Sequence, residues 1–333
     1  MIKGSSNIVD KFGREHDYLR ISLTERCNLR CFYCMPEEGI QLRDKANFMT
    51  SEEVLAIAKT FVRLGVKKIR LTGGEPLIKK DVENLLLELG KLPVELAITT
   101  NAILVDKYID TFKKAGIQSV NVSLDSLEEK KFNAISRRNY FERIKTNIDL
   151  LIKNNFHVKI NVVVIRDLNE HEIPGFINWT KKENVHVRFI EFMPFDGNKW
   201  SWEKKVSSKE IIQIANDFFS KKAIFKIEDA KNDTARNYRL VEGKGTFGII
   251  SSVTNPFCDT CNRIRLTADG KIKNCLFSQD ETDLLSAYRK EKDIESLIIE
   301  SITTKKKERG GAPSFNDGFI ETVKNRSMTT IGG

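Results

Sequence analysis

The sequence predicts an α/β protein built on one mostly parallel sheet, and three observations carry that reading. From about residue 18 to 191, apolar β-rich runs alternate with segments of helical periodicity. The strand-like runs number six and are fairly evenly spaced. Chemically loaded short segments recur where those runs end. A doubly wound sheet and a barrel short of the usual eight units both satisfy this pattern, and both place ligands at the carboxyl ends of the strands.

In chain order, YLRISLT (18–24) is the first strand and leads into CNLRCFYC (27–34). SEEVLAIAKTFVRLG (51–65) follows as a helix, opening on Ser51-x-Glu53 and closing at Gly65. KKIRLTG (67–73) is the second strand and runs into TGGEP (72–76). ELAITT (95–100) is the third, ending at TTN (99–101), and KYIDTFKKAG (107–116) has helical spacing. SVNVSL (119–124) is the fourth strand, ending at SLD (123–125), and YFERIKTNIDLLIKNN (140–155) is the next helix. HVKINVVVI (157–165) and HVRFIEF (186–192) complete the six, the last running into EFMP (191–194). Five loaded segments therefore converge on one face. After residue 195 the pattern loosens, which divides the chain into a unit over 1–194 and an appended domain over 195–333 that covers the mouth of the first.

Of 333 residues, 40% are hydrophobic and 30% charged, the balance of an ordinary globular protein. No stretch approaches the roughly 18 apolar residues of a membrane span. The N-terminus lacks the apolar core of a secretory signal, so a cytoplasmic protein without membrane partners is expected. The net charge of +9 suggests a polyanionic ligand, either a nucleic acid or a phosphorylated small molecule. Lysines are scattered, however, and only KKKER (305–309) forms a dense run, which reads as a solvated face or loop.

The six cysteines fall into two triplets with none left over: Cys27, Cys31, Cys34 and Cys258, Cys261, Cys275. A disulfide framework does not suit a cytosolic chain of this size. Thiolates select zinc or iron–sulfur clusters, and structural zinc wants four Cys or His ligands. Neither triplet has a neighbouring histidine; His16, His157, His171 and His186 all lie elsewhere. A cubane cluster held by three cysteines would keep one iron open to a small molecule. A single zinc shared by both triplets, or buried cysteines that bind nothing, are the alternatives.

The C-x3-C-x2-C spacing, with Tyr33 just before the last cysteine, resembles the radical S-adenosylmethionine (SAM) superfamily, and Gly73-Gly74-Glu75-Pro76 resembles its GGEP strand end. That resemblance implies a [4Fe-4S] cluster whose open iron is chelated by SAM, with the GGEP segment, Glu75 included, holding the methionyl amino group. FGREHDYLRISLTERCNLRCFYCMP (12–36), the segment Cys258-Asp-Thr-Cys261-Asn-Arg-Ile-Arg265 with Cys275 beyond it, and Arg326-Ser-Met-Thr-Thr-Ile-Gly-Gly333 are similar to the GTP 3′,8-cyclase family of molybdenum cofactor (molybdopterin) biosynthesis. The similarity runs in order from about residue 10 to the end. It implies an incomplete (β/α)6 TIM-like barrel and a second [4Fe-4S] cluster in the C-terminal domain whose open iron binds guanine. It further implies an external electron donor and a product consumed by cyclic pyranopterin monophosphate synthase. A homodimer is left open.

Residue candidates follow from both sources. Arg20, Arg70, Lys159 and Arg188 sit on predicted strands, where an inward charge is costly unless an anion pairs with it. A surface or salt-bridge role suits any one of them equally well. The resemblance makes Arg20, Arg70, Thr100 and Lys159 GTP contacts and places Arg188 near the substrate as a catalytic candidate. Arg263 and Arg265, flanking Ile264, would point the same way on a strand, and the family uses this segment for GTP. Tyr33, Gly74, Ser123 and Met193 match SAM contacts; Gly74 lets backbone approach closely. The tail over 326–333 could extend roughly 25 Å, enough to enter a barrel mouth. In the family it is required for activity, which makes Gly332 and Gly333 catalytic candidates. RGGAPSFNDGF (309–319) departs from the family's pattern. Two rival readings stand beside the cyclase: a radical SAM peptide-modifying enzyme with an auxiliary cluster, and a zinc-bearing nucleic-acid module.

Overall fold

The computed structural model describes residues 7–36, 39, 43–312 and 325–332. The six predicted strands form with shifts of only one or two residues at their ends: β1 (Tyr18–Ser22), β2 (Lys68–Thr72), β3 (Glu95–Thr100), β4 (Ser119–Ser123), β5 (His157–Val164) and β6 (His186–Glu191). Helices α1 (Ser51–Arg63), α2 (Val82–Gly90), α3 (Ile109–Lys114), α4 (Glu129–Ser136), α5 (Phe141–Lys153) and α6 (Ile173–Lys182) connect them. The α1 cap differs from the expected Ser51. Thr50 accepts from the Glu53 amide while Glu53 accepts from that of Thr50, a reciprocal capping box.

Alternation on the strands sets two faces. On β5, Val158, Ile160, Val162 and Val164 are buried, while Lys159 and Asn161 between them are not fully so. The apolar face packs under helices that present Val54, Ile57 and Phe61 from α1 and Ile144, Ile148 and Leu151 from α5. Burying each of these large side chains contributes about 1.5–3 kcal/mol. The charged face therefore looks inward.

The C-terminal half adds α7 (Ser208–Phe219), β7 (Ile224–Lys226), β8 (Arg236–Leu240), β9 (Thr246–Ile250), β10 (Arg263–Leu266), β11 (Lys271–Lys273), β12 (Thr282–Asp283), α8 (Leu284–Arg289), α9 (Ile294–Thr303) and α10 (Met328–Ile331). The sheet order is β12-β11-β10-β1-β2-β3-β4-β5-β6-β9-β8-β7. From β10 to β9 every pairing is parallel. β9 and β10 are not paired with each other, so the barrel is incomplete, with a seam between them. The segment between the end of β9 and the start of β10 carries Cys258 and Cys261. Among the described residues, no helix is long and apolar enough to cross a membrane.

Candidate functional site

The first cysteine triplet is built by the loop after β1 closing on the loop after β2. The Gly74 amide donates to the Thr24 carbonyl (2.6 Å) and the Glu75 amide to the Arg26 carbonyl (2.8 Å). A Cβ on Gly74 would collide with the Arg26 carbonyl oxygen and lie 2.7 Å from that of Glu25. The close approach that requires glycine here is thus to the backbone leading into Cys27. Glu75, fully buried, accepts from the Leu77 amide, the Thr100 hydroxyl and the Asn101 amide, stitching the end of β2 to that of β3. Burial pushes its carboxyl up to about 7. Asn101 Nδ2 also reaches Cys27 Sγ at 3.8 Å. Tyr33 donates to Asp125 (2.6 Å), which also accepts from the Val163 amide, tying the cysteine loop to the end of β5.

Cys27, Cys31 and Cys34 line a small cavity of about 90 Å³ with Tyr33, Gly74, Thr100, Ser123 and Thr329. Burial, then the charge of Glu75, pushes Cys27 up to about 11. Burial, then Cys27 and Asp125, pushes Cys34 up to about 12. Three thiols that resist ionisation alone suit a bound polynuclear cation that would supply the missing positive charge. Tetrahedral zinc would draw its sulfurs to about 3.8 Å of one another. Among the described residues, the one three-donor set of His, Cys, Asp or Glu whose ligand atoms all lie within 4.8 Å is Glu128, His171 and Glu172. Lys131 already neutralises that set, 3.0 Å from both carboxylates and 2.6 Å from His171. Neither cysteine triplet has all three sulfurs that close together.

The second triplet sits in the wall of a larger cavity of about 540 Å³ inside the barrel, within the usual range for a drug-sized ligand. Strand register lines its inner wall with cations in two rows. Arg265, Arg20 and Arg70 are aligned across β10, β1 and β2, and Arg263, Tyr18 and Lys68 form the row beside them. Lys159 and Arg188 face them from β5 and β6. Lys68 is ion-paired with Glu95 (2.6 Å), and the remaining cations have few bonds. Arg70 donates to Tyr18 Oη (2.6 Å) and the Ile98 carbonyl, Arg188 to Asn161, and Arg263 to the Asn232 carbonyl. Arg20 Nε and Arg263 Nη1 are buried with no partner. Burial and neighbouring arginines hold Lys159 down to about 8. Burial alone would raise Tyr18, but Arg70, Arg20 and Lys68 outweigh it and bring the phenol to about 7. The cavity is electrostatically short of an anion.

Around the second triplet, burial pushes the Cys258 thiol up. Burial would do the same to Cys261, but Lys305 and Arg263 together outweigh it and lower that thiol. The C-terminal tail is anchored at its start by ion pairs. Arg326 forks onto Asp269 at 2.9 and 3.0 Å and reaches Glu281 at 2.6 Å. Met328 then lines the larger cavity and Thr329 the smaller, so α10 lies between the two. Gly332, at φ +85°, rests against Ser22 and Thr72, and its carbonyl accepts from Arg265 (2.7 Å).

Arg20, Arg70, Lys159, Arg188, Arg263, Arg265 and Met193 therefore share the larger cavity with Cys258, Cys261 and Cys275. Thr100, expected beside them, lines the smaller cavity instead, bonded to Glu75. Ile264 is wholly buried on the opposite face of β10, which leaves only its backbone for contact. Gly333 and residues 313–319 lie outside the described residues. Tyr18 and Lys68 were not anticipated. Each lies two positions before a flagged arginine, Arg20 and Arg70, and the period-two rule applied to Arg263 and Arg265 would have found both. Lys305, read as part of a solvated run, is 2% exposed.

Comparison with known proteins agrees with this geometry. The family model described as Radical SAM superfamily matches residues 21–180, and that described as Molybdenum Cofactor Synthesis C matches 185–310. The chain is 43% identical over 319 residues to molybdenum cofactor biosynthesis protein 1 of Drosophila melanogaster, covering 94% of this chain and 56% of that one. It thus spans about half the length of that relative. It is 43% identical over 336 residues to the mitochondrial GTP 3′,8-cyclase of Arabidopsis thaliana, covering 99% of this chain and 84% of the relative. Among solved structures, Streptococcus suis SuiB bound to S-adenosylmethionine superposes with a TM-score of 0.67 at 16% identity, over 88% of this chain and 68% of SuiB. That likeness shows the fold alone.

Proposed function

The chain belongs to the radical SAM superfamily and, within it, to the GTP 3′,8-cyclase family, and on that premise we propose that it converts GTP to (8S)-3′,8-cyclo-7,8-dihydroguanosine 5′-triphosphate, a lyase reaction that opens molybdenum cofactor biosynthesis. The observation that supports this most is the anion-deficient cavity, with cations in register on one wall and three cysteines on another. In this reading residues 1–194 hold one [4Fe-4S] cluster through Cys27, Cys31 and Cys34, and residues 195–333 hold a second through Cys258, Cys261 and Cys275. Bound at Cys27, Cys31 and Cys34, the first cluster would supply one-electron reductive cleavage of SAM, the radical chemistry needed to take hydrogen from the ribose C3′. An external donor would supply two electrons, one for SAM cleavage and one that, with a proton, quenches the ring-closed nucleotide radical, and cyclic pyranopterin monophosphate synthase consumes the product.

The chain's own residues do the positioning. Tyr33, Gly74 and Ser123 line the SAM pocket, with Asp125 fixing Tyr33 from β5, while Glu75 does not line it and instead braces its wall through Thr100 and Asn101. Arg20, Arg70, Lys159, Arg263 and Arg265 clamp the triphosphate. Phe195, Val253, Phe277 and Ile331 pack a dry lid beside Met193 and Met328, which keeps water from a reactive radical. The peptide-modifying alternative has only fold likeness behind it, and the zinc module has neither family match behind it. Isolation of the cyclised nucleotide from an anaerobic reaction of reconstituted protein with SAM, GTP and reductant tests the proposal; SAM cleavage without that product refutes it.

Two predictions belong here. Each charge-assisted phosphate bond is worth about 1.5–3 kcal/mol, so Arg263→Ala and Arg265→Ala should each weaken GTP binding roughly 10- to 100-fold. SAM affinity should barely change, and calorimetry showing equal losses for both ligands would contradict the phosphate role. The second concerns pH. An anion favours the protonated forms of Tyr18 and Lys159, whose free-state values are about 7 and about 8. GTP affinity should therefore weaken as pH rises through that window. The free protein should also show a phenolate absorption band that GTP suppresses and Tyr18→Phe abolishes. A band indifferent to GTP would show that Tyr18 does not face the anion.

A further inference from the structure

KKKER (305–309) reads from sequence as a solvated run, yet its first residue points the other way. Lys305, just past α9, is 2% exposed, while Lys306, Lys307 and Glu308 are exposed. Its ammonium donates to Cys261 Sγ at 3.5 Å and to the Arg263 carbonyl at 3.1 Å. Among the described residues, no carboxylate lies within ion-pair distance of it. Its neighbour His16 is held neutral by burial and by Lys305 itself, down to about 4. A buried ammonium without a carboxylate is costly, so its counter-charge must come from Cys261 and from whatever that sulfur binds.

The rest of the run has the same orientation. The Arg309 amide donates to Cys258 Sγ at 3.4 Å. Arg14 donates to the carbonyls of Cys258 (2.7 Å), Lys307 (2.7 Å) and Lys306 (3.0 Å), with Asp10 holding its Nε at 2.6 Å. Residues 305–309 thus supply hydrogen-bond donors to two of the three sulfurs and are strapped to the cysteine loop by an arginine from the N-terminal segment. Donors and positive charge beside the ligating sulfurs stabilise the more negative, reduced state of an iron–sulfur centre.

We propose that Lys305 is the charge-compensating positioning residue of the second metal centre: its ammonium, fixed between Cys261 Sγ and the Arg263 carbonyl, raises the reduction potential of the cluster held there. The inference rests on Cys258, Cys261 and Cys275 being cluster ligands, and the experiment separates the two claims. Full-length wild type, Lys305→Met and Lys305→Arg are reconstituted anaerobically with iron and sulfide. Iron content, the unfolding midpoint and a potentiometric titration followed by electron paramagnetic resonance are then measured. The second centre's signal is the one SAM leaves unchanged. Wild type should hold about eight irons, the complement of two cubanes. Only about four would overturn the ligand reading before any variant is compared, and the inference with it. Given both clusters, Lys305→Met should shift the second midpoint to more negative potential, and Lys305→Arg should restore it. A Lys305→Met midpoint equal to wild type overturns the role, as does a shift of the same size in Lys305→Arg, which would assign the effect to packing. Should Lys305→Met fail to fold, Lys305→Arg decides: wild-type iron and potential support the charge role, and a shifted potential overturns it.

Discussion

Gly74→Ala should cost the protein its first cluster while sparing the second. The added methyl would meet the Arg26 carbonyl oxygen and approach that of Glu25, both main-chain atoms that cannot rotate away. Those carbonyls belong to the turn that delivers Cys27, and that turn is already bonded to the Gly74 and Glu75 amides. Overpacking typically costs about 1–3 kcal/mol and is relieved by backbone movement. Here the movement would displace Cys27 from its partners across the small cavity. Reconstituted Gly74→Ala should therefore carry roughly half the wild-type iron, as the loss of one of two cubanes requires. SAM cleavage should fall below detection, while GTP affinity, set in the larger cavity, should stay near wild type. Full iron content with normal SAM cleavage would show that the two loops are not coupled in this way.

The reasons for what sequence does and does not reveal lie in the range of the interactions involved. β1 to β6 were legible because each is a run of alternating or continuous apolar residues bounded by turn chemistry, a local signal. So were the cysteine triplets and TGGEP, whose spacing is itself the signature. β9 and β10 were not placed in the sheet. Thr246–Ile250 and Arg263–Leu266 are short, and only their parallel pairing with β6 and β1 makes them part of the barrel. Thr100 illustrates the same limit at a site. Nothing local tells a strand-end threonine bonded to Glu75 from one aimed at the larger cavity. Lys305 fails for a third reason. A lysine run has the composition of a surface, and its burial is decided by Cys261, 44 residues earlier in the chain.

One consequence joins the two cavities. Arg20 and Arg263 in the larger cavity keep buried nitrogens without a partner, and burial holds the thiols of the smaller toward their protonated forms. Each site is therefore incomplete in a way that a ligand of opposite charge repairs. The element between them is the tail, which makes its last described residue the second position of large expected effect.

Gly332→Ala should uncouple SAM cleavage from cyclisation. Gly332 occupies the left-handed region at φ +85°, where an alanine is strained. A Cβ there would lie 2.7 Å from both Ser22 Cβ and Thr72 Oγ1, buried residues paired in register at the ends of β1 and β2. These are the roots of the two loops that hold the first triplet and TGGEP, so the tail is the part that must yield. Its retreat removes the carbonyl that accepts from Arg265 (2.7 Å) and frees that guanidinium within the cavity. A misplacement on the order of 1 Å in a radical reaction can cost about 10²-fold, and the same loss is expected in cyclised nucleotide formed per SAM cleaved. Iron content and SAM affinity should remain near wild type because the first triplet keeps its own bonds. Deleting residues 332 and 333 removes the clash but also the carbonyl, so it should reproduce the loss if the Arg265 contact matters. Normal coupling in that deletion would assign the Gly332→Ala defect to steric pressure on Ser22 and Thr72 alone.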